Sequence, residues 1–475
     1  MKTYHSIAAL QHDLHKGKMT CRRLVEHYIS QIAAQQHLNA YLEVFVDDAL
    51  AQADRIDHKI QHHEPLGALF GTPIGIKDVL CYADHLASAG SKMLEGFRSL
   101  YTATAVERLI AADAIILGRL NCDEYAMGST NENSAFGPVR NAYDHDKVSG
   151  GSSGGSAVAV QADLCMAALG SDTGGSVRQP AAFCNVIGMK PTYGRISRHG
   201  LIAYASSFDQ IGTLTKSVDD AALLLSVMAG KDPFDATTSQ KEVPDLSLST
   251  PNKTYKIAYL QETIDHQGLD ADIKQQTDAF LHQLQAAGHQ VEAVSFPFLD
   301  YIVPTYYVLT TAEASSNLSR FDGIRYGYHH PNAQDTESTY RLNRSHGFGK
   351  EVKRRIMLGA FVLSSSYYDA YYAKAQKVRR LISNHTQSIL AQYDFMLTPT
   401  TPTTAFNIGD KAYQNPIALY LADIYTVQAN LTGLPAISLP LFRHRNGLPF
   451  GIQIMAQRFA EADLLQFAQD LMQNR

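Results

Sequence analysis

Gly150-Gly151-Ser152-Ser153-Gly154-Gly155-Ser156 is the stretch on which the reading of this sequence turns. By composition alone it is a flexible Gly/Ser linker. The flank excludes that, because Ala157-Val158-Ala159-Val160 follows at once as an apolar, helix-like run. Glycines just before a helix instead let backbone N–H groups approach a ligand closely. A phosphate cradle needs the lysine of a GxxxxGK[ST] loop, which is absent. A GxSxG nucleophile elbow is matched only loosely, with Ser153 at the nucleophile position and Gly155 closing. That elbow needs a strand before it, whereas Asp144–Ser149 is polar, and none of the 19 histidines stands out as a base.

A second run, Gly170-Ser171-Asp172-Thr173-Gly174-Gly175-Ser176-Val177-Arg178-Gln179-Pro180, places Ser176 24 residues after Ser152. Two glycines before a serine free several N–H groups to turn inward, as an oxyanion hole requires; one such donor contributes roughly 3–4 kcal/mol to a transition state. Ser176, beside those donors, is the candidate nucleophile. Asp172 and Arg178 are expected to brace the loop as an ion pair. A serine hydroxyl needs a base, and the best candidate is Lys77, which ends Gly71-Thr72-Pro73-Ile74-Gly75-Ile76-Lys77-Asp78. Burial at the end of that apolar strand would lower its pKa; a drop from about 10.4 to 7–8 costs roughly 3–5 kcal/mol. A lone lysine is more often a surface charge, so its local sequence leaves both readings open.

Outward from these runs, the chain to about residue 62 predicts helix, with Val25, Tyr28, Ile29 and Ile32 on one face. His62-His63, Pro65 and Gly67 mark a loop, and no third ligand sits at metal spacing beside the histidines. Ile74–Ile76 and Ala114–Leu117 predict buried strands with a helix, Thr104–Ala112, between them, an alternation that implies α/β layering around a mixed sheet. Ser217-Val218-Asp219-Asp220 predicts a capping box before a helix over Ala221–Ala229. Strand, helix and strand are expected over Lys256–Leu260, Asp270–Ala287 and Val291–Phe296, either as a separate lobe or as more sheet. Phe395–Thr398, Ala436–Leu441 and Phe450–Met455 predict strands returning to the main sheet.

The bulk numbers limit the function classes. With 45% hydrophobic and 18% charged residues the chain has a large core. Its formal net charge of −5 argues against a phosphate-backbone grip by this chain alone. No apolar stretch is long enough to span a bilayer, and Met1–Lys18 does not resemble a signal peptide. Five scattered cysteines, never as CxxC, fit a reducing cytoplasm rather than a disulfide framework or zinc site.

Together the run Gly150–Ser156, the run Gly170–Pro180, the Lys77 strand and Gly188-Met189-Lys190-Pro191-Thr192 resemble the amidase signature family. The resemblance implies one amidase-signature domain over 1–475: an N-terminal helical segment 1–62, a signature core 64–250, and a part 251–475 completing sheet and pocket. The implied fold is α/β, a large mixed β-sheet core covered by helices on both faces. It also implies that Ser176 attacks, that Ser152 relays the proton with a cis peptide bond before it, and that Lys77 is the ultimate base. The amides of Thr173, Gly174, Gly175 and Ser176 would form the oxyanion hole.

Within the family, Asn121–Arg140, Tyr193–Gly212, Glu313–Tyr328 and Glu351–Tyr372 look like the glutaminase branch that supplies ammonia to tRNA-dependent amidotransferases. That likeness implies glutamine as substrate, with Arg355 on the α-carboxylate, Asp423 on the α-amino group, Tyr307 lining the pocket and Gly128-Ser129 adding polar contacts. Arg354 is the adjacent rival of Arg355. It further implies a heterotrimer with B and C subunits, Glu-tRNA(Gln) reached mainly through the B subunit, and ATP and Mg2+ held by that partner. This chain would carry no cofactor and no metal. Ser149 and Thr213 stand where the family usually has proline, which bears on loop rigidity and not on the triad. The competing readings are a stand-alone amidase for other carboxamides, which need not hold both Arg355 and Asp423, and a non-catalytic scaffold, against which the intact triad argues.

Overall fold

A computed structural model describes residues 2–249, 253–413 and 415–473. Eleven strands form one sheet: β1 (Tyr41–Val44), β2 (Pro73–Lys77), β3 (Ile115–Leu120), β4 (Ala167–Asp172), β5 (Ile187–Lys190), β6 (Gln210–Thr215), β7 (Lys256–Leu260), β8 (Gln290–Val294), β9 (Phe395–Pro399), β10 (Ala436–Arg443) and β11 (Pro449–Ala456). Their spatial order is β1-β3-β2-β4-β6-β5-β10-β11-β9-β7-β8. The sheet is mixed. β3, β2 and β4 run parallel, as do β9, β7 and β8, and an antiparallel block joins the two sets.

Period-two alternation assigns each strand's residues to two apolar layers. Ile257, Leu397, Ile437 and Ile454 belong to one buried cluster, and their neighbours Ala258, Met396, Ala436 and Met455 belong to another. The central strands are therefore apolar in both directions, as a sheet covered on both faces requires. One layer is filled by helices Cys21–Ala34 and Val218–Met228, the other by Leu299–Asn317 and Lys374–Leu390.

Three expectations shift in detail. The stretch to residue 62 holds helices Ile7–His15, Cys21–Ala34 and Val46–Gln61, but β1 interrupts them and pairs antiparallel with β3. Ser217 caps the next helix, its hydroxyl accepting from Asp220 N–H at 3.1 Å, and the helix starts at Val218 rather than Ala221. β7 and β8 extend the main sheet through β9 and so form no separate lobe. His62 and His63 are exposed, and all five cysteines are buried and unpaired. The buried hydroxyl of Thr213 has no hydrogen-bond partner among the described residues. No helix among the described residues is long and apolar enough to cross a membrane.

Candidate active site

β2 is hydrogen-bonded on both sides, to β3 and β4, and buried at every position. Lys77, its last residue, is therefore fully enclosed. Its ammonium meets hydroxyls. Nζ donates to Ser152 Oγ at 2.7 Å and to Ser153 Oγ and Ser171 Oγ at 2.9 Å each. It forms no ion pair among the described residues. Burial pushes its pKa down to about 8, against the weaker opposing pull of Asp123, Asp172 and Asp209. An amine at that value is a competent general base near neutral pH.

The loop that carries Ser152 is held from two sides. Gly151 N–H donates to Gln179 Oε1 at 2.9 Å, and the Ser152 carbonyl accepts from Asp123 N–H at 3.2 Å. The Gly151–Ser152 bond is cis. Only glycine fits at 151, because a Cβ would collide with the Asp123 carboxylate and crowd the amides of Thr130 and Asn131 at 2.8 Å. Ser176 lies just past β4, joined to this loop by Ser153 N–H donating to the Ser176 carbonyl at 3.1 Å. It is 8% exposed, whereas Lys77 and Ser152 are at 0%, so Ser176 is the member of the trio that a substrate can reach. Its hydroxyl hydrogen-bonds to no described residue.

The turn before Ser176 is organised by Asp172. Its two oxygens accept Gly175 N–H at 2.8 Å and Val177 N–H at 3.1 Å, and pair with Arg178 through Nη2 at 2.9 Å and Nε at 3.0 Å. Burial alone would raise this carboxyl; the Arg178 guanidinium outweighs it and holds it well below the usual range. Gly175 sits at φ +130°, a region open essentially to glycine alone. Its amide is committed to Asp172, so of the four expected oxyanion donors those of Thr173, Gly174 and Ser176 remain without a partner among the described residues. N–H groups next to a serine that are not already bonded can serve a developing oxyanion if they turn toward it.

The remaining predicted residues are buried near one another. Arg355, on the helix Lys350–Val362, is 3% exposed, whereas its neighbour Arg354 is partly exposed; both pair with Glu351. Arg355 Nε donates to Glu351 Oε1 at 2.9 Å and Nη1 to the Tyr204 hydroxyl at 2.8 Å, leaving Nη2 free among the described residues. Its guanidinium lies 5.2 Å from the Tyr307 ring centre, 5.5 Å from Tyr204 and 5.7 Å from Tyr420, and Tyr307 stacks on Tyr420 at 3.8 Å. Asp423 accepts from Ser129 Oγ at 2.5 Å, and burial pushes its carboxyl up to about 7. Gly128 lies against the Asp123 carboxylate, where a side chain would collide. Thr426 ties this pocket to the reactive turn, its hydroxyl donating to the Gly174 carbonyl at 2.7 Å and its N–H to the Asp423 carbonyl at 3.1 Å.

Sequence reasoning did not assign Ser153, Ser171, Gln179, Tyr204, Thr426 or Tyr420. The first four lie inside stretches already singled out, so the signal for a site was present but not the role. Gln179 joins the two loops, its Nε2 donating to the Ser129 carbonyl at 2.7 Å. Tyr420 carried no signal beyond being an aromatic residue near Asp423.

The profile of the family described as Amidase matches residues 23–465. The A subunit of the glutamyl-tRNA(Gln) amidotransferase from Chlorobium phaeobacteroides is 49% identical over 479 residues, covering 99% of each chain. The protein of the same name from Acidobacterium capsulatum is 50% identical, covering 95% of each. The crystal structure of the Thermotoga maritima A subunit superposes with a TM-score of 0.79 at 40% identity, covering 96% of this chain and 92% of that one. The chain belongs to the amidase family.

A base that titrates near 8 makes activity rise with pH. Amide hydrolysis with Lys77 as the base would need it neutral, a form that predominates above its pKa and is lost as pH falls through it. The acidic limb of kcat/KM for a neutral amide substrate should therefore have its midpoint at about 8. A limb near 10.5, the ordinary lysine value, would show that burial has not tuned the amine.

Proposed function

We propose, from this family membership, that the chain is the glutaminase subunit of a tRNA-dependent amidotransferase. It hydrolyses glutamine to glutamate and ammonia, and the ammonia converts Glu-tRNA(Gln) to Gln-tRNA(Gln). The observation that carries this is near-half identity, end to end, with proteins named as A subunits of glutamyl-tRNA(Gln) amidotransferases. The pocket supports it. Free glutamine is a zwitterion, and a site for it needs one fixed cation and one fixed anion. Arg355 supplies the first through Nη2; Asp423 supplies the second, its carboxyl, raised to about 7 by burial, being drawn to the ionised form by the α-ammonium that it would face, with Tyr307, Gly128 and Ser129 around them.

In the proposed cycle the neutral Lys77 amine takes the Ser152 hydroxyl proton while Ser152 Oγ takes that of Ser176, across a contact that closes when substrate is bound. Ser176 Oγ then bonds to the carboxamide carbon, and the oxyanion rests on the amides of Thr173, Gly174 and Ser176. The proton returns along the same path to the nitrogen, the C–N bond breaks, and ammonia leaves a γ-glutamyl ester. Water, deprotonated by the same relay, cleaves that ester and restores Ser176. The chain needs no cofactor for these steps. ATP and Mg2+ belong to the partner, which with a third chain completes a heterotrimer of A, B and C subunits. The B subunit contributes most of the tRNA contact. We assign the assembly to a reducing cytoplasm, and the five buried, unpaired thiols support that assignment.

Two outcomes test this reading. Arg355→Ala and Asp423→Ala should each raise KM for glutamine by about 10- to 150-fold, the equivalent of 1.5–3 kcal/mol for a charge-assisted contact. Neither should do so for an amide lacking the α-amino and α-carboxyl groups; equal losses on both substrates would return the pocket to a general amidase. Adding the B and C subunits, ATP and Glu-tRNA should raise glutaminase by about 5- to 150-fold, the range of a 1–3 kcal/mol coupling. A free chain already at full rate and indifferent to partners would contradict the amidotransferase assignment.

A further inference from the structure

Away from the amide site, a cleft of about 570 Å³ opens between the helix Lys374–Leu390 and the segments around Tyr193, Ser207, Gly433 and Arg458. Gln376, Arg379, Arg380, Ser383 and Gln387 are spaced so that they share one face of that helix. The helix thus presents a polar, doubly cationic stripe to the cleft, and Arg458 adds a third guanidinium from the far wall.

Among the described residues no carboxylate lines this cleft. Glu313 approaches from behind Ser207, where its oxygens accept the Ser207 N–H at 2.9 Å and the Ser207 hydroxyl. The chain has 46 acidic residues to 41 basic ones, so three arginines lining one cleft with no carboxylate among them run against its composition. Arg380 and Arg458 are exposed and make no ion pair or hydrogen bond among the described residues. Arg379 is set in place by its neighbours. Nε donates to the Leu431 carbonyl at 2.9 Å, Nη1 and Nη2 donate to Ser207 Oγ and its carbonyl at 3.1 Å each, and the guanidinium lies 4.2 Å over the Phe208 ring. Those contacts use three of its five N–H groups, which leaves two for a ligand. Burial, with the like charge of Arg458 adding to it and Glu313 opposing, holds Arg379 below its usual pKa, a penalty that a bound anion would relieve.

We infer that this cleft is a second ligand site, built to hold phosphate oxygens. A single carboxylate is satisfied by one arginine fork, as in the Arg355 pocket. Three forks with flanking hydroxyl and carboxamide groups match a multiply charged tetrahedral oxyanion or a string of them. Its residues take no part in the amide-hydrolysing centre, so the inference stands apart from the proposed function. The phosphate comes either from a free polyphosphate or from an RNA backbone.

The test titrates the full chain with inorganic pyrophosphate by calorimetry, at low and at high salt, and repeats the titration with a short oligoribonucleotide added as competitor. Pyrophosphate should bind at one site, more weakly at high salt. The double variant Arg380→Ala/Arg458→Ala should weaken that binding by at least about ten-fold while leaving amide hydrolysis intact, which also shows that it is folded. Displacement by the oligoribonucleotide identifies an RNA backbone as the source; no displacement identifies a free polyphosphate. Absence of binding by either probe, or binding unchanged in the double variant, overturns the inference.

Discussion

An ammonium group with no counter-ion among the described residues, enclosed among hydroxyls, is the constraint on which the rest of this site depends. Lys77 cannot keep its proton cheaply in that position, and burial brings it to about 8. A lowered pKa alone does not supply a proton relay, and Lys190 is the contrast. Lys190 is just as buried and falls to about 7, again mainly through burial. Its Nζ, however, donates to the carbonyls of Pro191 and Leu434, at 2.9 Å and 2.5 Å. Carbonyl oxygens carry no proton to give up, so Lys190 only ties β5 to a loop. Lys77 faces Ser152, Ser153 and Ser171, and hydroxyls do carry one. The chemistry comes from the partners, and the pKa makes it accessible.

A second buried cation supplies the frame. Arg178 holds Asp172 with a two-point grip, and it also reaches the Thr426 carbonyl at 2.8 Å, Asn430 Oδ1 at 2.7 Å and the Gln453 side chain. The end of β4, the turn before Ser176, the helix Val427–Thr432 and β11 therefore meet on one guanidinium. Breaking a buried pair of this kind by removing one member costs about 3–5 kcal/mol, because the other charge is left unpaired. Thr426 and Gln179 then pass that rigidity outward, to Asp423 and Ser129 on one side and to Ser152 on the other.

Much of this was legible in the chain because it was local. β2, β3, β7, β9, β10 and β11 are short apolar runs bounded by turn residues, and the ion pair of Asp172 with Arg178 spans six positions. β1 was missed because Tyr41–Val44 sits between two amphipathic helices and is only half-buried, so it lacks the full apolar signature of an interior strand. The cage around Arg355 draws on Tyr204, Tyr307 and Tyr420, whose positions 151, 48 and 65 residues away encode no mutual spacing. That Arg355 and not Arg354 turns inward follows from which side of one helix faces the sheet layer, a tertiary fact. The commitment of the Gly175 amide to Asp172 is likewise visible only once the turn has closed.

Lys77, Ser152 and Ser176 are proposed to act as one proton relay. A mutant cycle measured by glutaminase kcat tests it most directly. Ser176→Ala, Ser152→Ala and Lys77→Ala should each remove most of the rate, and the double variants should be scarcely slower than the single ones, because a broken relay cannot be broken again. Losses that multiply in the double variants would contradict the account, since they would mean that the three groups contribute independently.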